Sequence, residues 1–150
     1  MNLIKTEEFK EAYRNKLQEV QQDCLKMEQV EMPLLHDFSP GLYIRRIFMP
    51  KGTFVIGRTH KTEHFNIVIS GAANVMMDGE ISFIQAPAMF KSGPGVRKVL
   101  YILEDMIWAT THATEETDLE KLEEDLVLTL KEDGLVIDEE TKKQLTQEVL

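Results

Sequence analysis

The sequence predicts a mainly β chain: a barrel or sandwich of short antiparallel strands, with one amphipathic helix before it and acidic helices after it. Three observations carry that expectation. Residues 41–112 break into short runs of β-forming residues separated by turn residues, with no helical period between them. Apolar residues from Phe9 onward recur every three or four positions. Negative charge gathers at the far end, where residues 115–150 hold 13 Asp or Glu against 4 Lys while residues 1–114 are neutral. The 150 residues are enough for one domain of ordinary size. They divide into a helix and linker over 1–40, a β-barrel over 41–114 and an acidic helical tail over 115–150.

Taken in order, Phe9, Tyr13, Leu17, Val20, Cys24 and Met27 form one stripe on a helix of about 20 residues. Glu7, Glu8 and Glu11 suit the positive end of its dipole, and Pro33 prevents its continuation. The stripe is a packing face, either for the central domain or for a second copy of the chain. The β segment then runs Leu42–Met49, Thr53–His60, Phe65–Ser70, Val75–Met77, Ile81–Gln85, Arg97–Ile102 and Met106–Thr111. Asp78-Gly79 is a hairpin signal, because glycine readily takes a positive φ. In the tail, Thr117-Asp118-Leu119-Glu120 fits a capping box, followed by a stripe of Leu119, Leu122, Leu126 and Leu130. Asp133-Gly134 ends that helix, and Asp138 caps a last one carrying Leu145 and Val149.

Composition excludes several function classes. No apolar run approaches the roughly 18 residues of a membrane helix, and the N-terminus turns acidic before any signal-peptide core develops. The one cysteine, Cys24, points to a reducing, intracellular (cytoplasmic) setting. A formal net charge of −9 disfavours duplex nucleic acid. Residues 42–112, with 8 basic and 5 acidic side chains, still suit a small anionic ligand.

Chemistry concentrates on histidines. His60, Glu63 and His64 read H-x-x-E-H, which on a helix is the inverted zinc-peptidase motif. The β-formers on both sides argue for a strand–turn–strand setting instead. In that setting the segment resembles the first cupin motif, a glycine, two histidines, a glutamate and a closing glycine at fixed spacing. His60 fits the second histidine, His64 falls where the glutamate belongs, Gly71 closes the motif, and Arg58 replaces the first histidine. The second motif is matched more loosely, by Gly79 and Pro87, with Met89 in place of its glycine and Ser92 in place of its histidine.

The resemblance implies a cupin-like jelly-roll β-barrel and a homodimer. It also implies that Met106–Thr111 lies antiparallel to Phe65–Ser70, which brings His112 beside His64. Alternation puts Trp108, Thr110 and His112 on one face, and Phe54, Ile56, Arg58 and His60 on another. The barrel mouth then holds Arg58, His60, His64 and His112, with Trp108 as a deeper wall. His60, His64 and His112 are candidate ligands for one divalent metal (Zn, Fe, Ni or Mn), and Glu63 is a candidate base if its side chain turns in. Arg58 serves either as an anion clamp or as a partner of Glu63. Arg97 and Lys98 have opposite parity, so at most one faces the pocket. His36 receives no role.

Three functions follow: a small-molecule binder holding an anion such as a nucleotide, a metal-dependent enzyme acting on a small polar substrate, or an interaction module without a ligand. The altered motif favours binding and leaves turnover open. The compact form and acidic tail also resemble small accessory proteins of tailed phages, which implies a host signalling nucleotide as ligand.

Overall fold

The computed structural model describes residues 7–77, 79–129 and 132. Helix α1 spans Glu7–Cys24, with Glu7 and Glu8 in its first turn. It ends three residues before Met27, the last residue of the predicted stripe, because the Gln29 side-chain amide donates to the carbonyls of Cys24 (3.1 Å) and Met27 (3.0 Å). Leu17 packs on Ile56 and Val99, with Tyr13, Val20 and Cys24 around them. The middle of the stripe is therefore covered by the chain's own barrel, while Phe9 and Met27 at its ends stay exposed.

Seven strands follow: β1 Leu34–Ser39, β2 Leu42–Met49, β3 Phe54–Ile56, β4 His64–Met77, β5 Glu80–Gln85, β6 Ala88–Ser92 and β7 Lys98–Ala113. All pair antiparallel in the order β1-β2-β7-β4-β5, with β3 also on β7 and β6 also on β4. The two predicted pairs of short runs, Phe65–Ser70 with Val75–Met77 and Arg97–Ile102 with Met106–Thr111, are in fact two long strands, β4 and β7. Their irregular middles are bulges in one shared ladder, with register shifts between Val68 and Ala73. Gly71 sits at that bulge with φ of 88°, and a Cβ there would lie 2.4 Å from the Asp105 carbonyl oxygen. Only glycine lets the two strands approach so closely. β1 falls in the segment read as linker, and Asp78 of the hairpin signal lies outside the described residues.

The bends let β7 pair β3 near its start and β2 towards its end, so the sheet curls around one core. That core contains Ile47, Met49, Val68, Val75, Leu100, Ile102, Met106 and Trp108, all buried. Helix α2, Leu119–Leu126, lies over one end of the barrel and buries Leu122 and Leu126 against Tyr43. Its N-cap is Asp118, which accepts from the Lys121 amide (3.1 Å), rather than Thr117. Leu130, Asp133-Gly134 and the last predicted helix with Asp138, Leu145 and Val149 lie outside the described residues. Among the described residues, no helix is long and apolar enough to cross a membrane.

Candidate functional site

The end of the barrel under α2 collects the histidines. β4 starts at His64 and pairs Phe65 with Thr111 of β7, so His112 is carried beside His64, as antiparallel register requires. His60 leaves β3 after the irregular Gly57–Thr59 stretch and makes an isolated bridge to Val127. Ring centroids are 4.4 Å apart for His60 and His64, 5.1 Å for His64 and His112, and 5.9 Å for His60 and His112. All three are buried. His36, bonded through Nδ1 to the Tyr43 hydroxyl (2.6 Å), and Tyr43, stacked on His112, extend the cluster outward.

Burial is the main reason that all three imidazoles lose basicity. It holds His60 far below the ordinary histidine range, with Lys98 and His64 adding to the effect. His112 is pulled down to about 3 by burial, then by His64, Arg45 and Lys98. His64 is lowered by burial against an opposing contact with the Thr62 carbonyl. His64 Nδ1 lies 2.9 Å from that carbonyl, so Nδ1 carries the proton and Nε2 presents a lone pair. That lone pair faces Lys98 Nζ at 3.4 Å. Nδ1 of His60 and Nδ1 of His112 are buried without a hydrogen-bond partner among the described residues.

Beneath the imidazoles lies a cavity of about 60 Å³. Arg45, Arg58, His60, Lys98, Trp108 and Thr110 line it beside aliphatic core residues, and among the described residues no carboxylate does. Burial and the Arg45 charge push Lys98 down to about 8, and burial brings Arg45 down to about 10. Trp108 fixes one wall by donating to Asn66 Oδ1 (3.1 Å), while Asn66 Nδ2 donates to Ser92 Oγ (2.8 Å). A larger groove of about 300 Å³ lies between the end of α1 and β3, and Val55 and Arg58 line both it and this cavity.

Comparison with solved structures places the fold. Salicylate 1,2-dioxygenase from Pseudoaminobacter salicylatoxidans is 15% identical over 77% of this chain and 33% of its own, with a TM-score of 0.53. KdgF from a Halomonas species is 17% identical over 61% of this chain and 88% of its own, at 0.50. An RmlC-like cupin from Shewanella frigidimarina is 21% identical over 59% and 85%, at 0.46. The fold is a cupin-like jelly roll. No family model matches the sequence, and no curated protein does.

Within the cupin barrel the usual metal set can be tested against geometry. His60 and His112 lie with ring planes 7° apart and centroids 5.9 Å apart, and His112 Nε2 is already engaged by the Thr110 hydroxyl at 3.0 Å. The lone pair of His64 is directed at the Lys98 amine. Among the described residues, no group of three or more His, Cys, Asp or Glu is arranged to hold a metal. As folded, His60, His64 and His112 do not fit the divalent ion that the resemblance implies.

The other predicted residues divide. Arg58, His60 and Trp108 line the inner cavity, whereas His112 lies on the far side of His60, under α2, where there is room for about one water. Glu63 turns outward into an exposed ion pair with Lys91 (3.0 Å), so it is not the base of this site. Arg58 pairs with Glu123 of α2 instead of Glu63, and its Nε donates to the Leu128 carbonyl (3.1 Å). Phe54 points to solvent, because β3 is too short to carry its alternation through to Arg58. Arg45 and Lys98 were missing from the predicted site. Their signal was parity: Arg45 alternates with Tyr43 and Ile47, and Lys98 with Leu100 and Ile102, all buried.

Proposed function

We propose that this protein binds a small anion of a few heavy atoms in the cavity inside the barrel. The observation that carries the reading is a wall with Arg45 and Lys98 on it, beside an Arg58 held by Glu123, and, among the described residues, no carboxylate lining it. Desolvated cations facing an apolar cavity are stabilised by an anion that enters it. A volume of about 60 Å³ suits a small carboxylate or oxyanion and is well below the roughly 300 Å³ of sites for larger ligands, so a nucleotide does not fit. His60, whose Nδ1 has no hydrogen-bond partner among the described residues, is a further polar residue of the cavity lining. The single cysteine supports an intracellular setting.

Thermal unfolding in the presence of acetate, pyruvate, lactate and phosphate tests this reading. A ligand at about 100 times its Kd stabilises by about 2.7 kcal/mol, a rise of several degrees, and Lys98→Met should abolish most of the shift. No shift with any of the four rejects the anion site. Elemental analysis of the same tag-free protein covers the metal reading: one metal per chain, lost in His60→Ala, would replace the anion with an ion held by rearranged imidazoles.

The expected homodimer moves to the outer sheet face. Phe54, Tyr101, Asn74 and Phe83 form one cross-strand row, and the three aromatic residues are exposed. Ile81 is 72% exposed on β5, an edge strand of the sheet order. An uncharged, self-matching row beside an open edge suits an isologous contact with a second copy. Sedimentation should give a dimer for the wild type and a monomer for the double variant Ile81→Lys, Phe83→Lys. A wild type that sediments as a monomer at high concentration rejects it.

A further inference from the structure

The amine of Lys98 has surroundings that a merely structural lysine does not need. Lys98 is the first residue of β7, is 7% exposed, and meets a histidine lone pair rather than a carboxylate. Held as an ammonium ion, it would be a desolvated charge beside the guanidinium of Arg45. An amine in that setting is a nucleophile held partly in its neutral form.

We propose that Lys98 forms a covalent imine with the carbonyl carbon of a small 2-oxo acid held in the inner cavity. The inference rests on the anion-site reading above and names the ligand class for it. In a 2-oxo acid the carboxylate and the carbonyl carbon are adjacent, so a cavity only a few heavy atoms wide that seats the carboxylate on its guanidinium wall brings the carbonyl to the amine on the same wall. The neutral amine attacks the carbonyl carbon, a C–N bond forms and the C–O bond breaks. Both amine hydrogens leave with the oxygen as water, and no electron donor or acceptor is required. His64 Nε2, unprotonated and 3.4 Å from Nζ, accepts the proton that the amine sheds on attack and returns it to the departing oxygen.

The experiment is reductive trapping: the full chain is incubated with pyruvate and borohydride, followed by intact mass and peptide mapping, and thermal shifts with pyruvate and lactate are measured alongside. The expected result is one reduced pyruvyl adduct per chain on the peptide carrying Lys98, at roughly tenfold or more the level on any other lysine peptide. Lactate, which has no carbonyl, should shift the melting temperature and leave no adduct. Lys98→Arg, which keeps the charge, should keep the pyruvate shift and lose the adduct. Thermal shifts with both acids but no adduct at Lys98 would overturn the covalent step and leave the anion site standing. An adduct spread evenly over the lysines, or retained in Lys98→Arg, would also overturn it. Absence of both shift and adduct would remove the anion site as well.

Discussion

Taking the protein from pH 7 to pH 5 should cost about 4 kcal/mol of folding stability through His60 and His112 alone. Both imidazoles are neutral when folded, with His112 at about 3 and His60 far below the ordinary range, while in the unfolded chain each titrates near 6.5. Above the unfolded value neither state binds a proton and the groups contribute nothing. As pH falls below it the unfolded chain takes up protons that the folded chain refuses, so stability is lost by about 1.4 kcal/mol per pH unit and per histidine. His64, lowered in the same direction, adds to the loss. Against a total of about 5–15 kcal/mol for an ordinary domain, this is a large fraction. The melting temperature should fall by roughly 10–15 °C over those two units. Lys98 has the opposite window: its burial penalty is relieved only as pH rises from about 8 towards its unfolded value, which should add stability on the alkaline side. Replacing His112 with Gln should remove one histidine's share of the acid slope. A melting temperature flat from pH 7 to pH 5 would mean that the imidazoles are solvated or already charged.

The same side chains account for an electrostatic contrast within one chain. The net charge is −9, yet the cavity wall is cationic. The acidic surplus belongs to the C-terminal segment, and α2 brings one of its carboxylates, Glu123, to Arg58. The rest of its exposed face stays in water, as a charged helix face normally does. Among the described residues, no carboxylate lines the cavity that has Arg45 and Lys98 on its wall. That arrangement favours an anion that arrives from outside.

Local pattern made some of this legible. β2 coincides with the predicted run Leu42–Met49, and the approach of His112 to His64 follows from a register that antiparallel pairing dictates. The pairing of Arg58 with Glu123 spans 65 residues, and no periodicity encodes it. Glu63 is much nearer in sequence, but it belongs to an exposed turn and points away. β1 escaped notice because it is an edge strand, mostly exposed and flanked by Pro33 and Pro40, so its apolar alternation is weak. Arg45 and Lys98 had the right parity, but a charge at an inward position contradicts the rule by which inward positions are recognised. Such a contradiction is where a binding site is expected.

Glu123→Ala should destabilise the protein by about 3 kcal/mol, the lower end of the range for breaking a buried ion pair, because the Glu123 side chain is 28% exposed while that of Arg58 is 5% exposed. The loss is mainly that of a guanidinium left buried with the Leu128 carbonyl as its remaining anchor on this segment. The melting temperature should drop by roughly 10 °C. The consequence reaches beyond stability, because this pair ties down the segment that closes the barrel mouth. Lys61 N donates to the Leu126 carbonyl (2.7 Å) and Leu128 N to the Thr59 carbonyl (2.9 Å), clamping residues 126–128 beside His60. With Glu123 removed, those amides should exchange with solvent much faster than amides of β4 and β7, which report only global unfolding. The double variant Arg58→Met, Glu123→Leu should recover most of the lost stability, since two apolar side chains can replace a buried pair without leaving a charge behind. Unchanged melting and unchanged protection of Lys61 and Leu128 in Glu123→Ala would mean that Leu122, Leu126 and Val127 hold the segment by packing on Tyr43 alone. In that case the mouth is closed by apolar burial, and the ion pair serves only to neutralise Arg58.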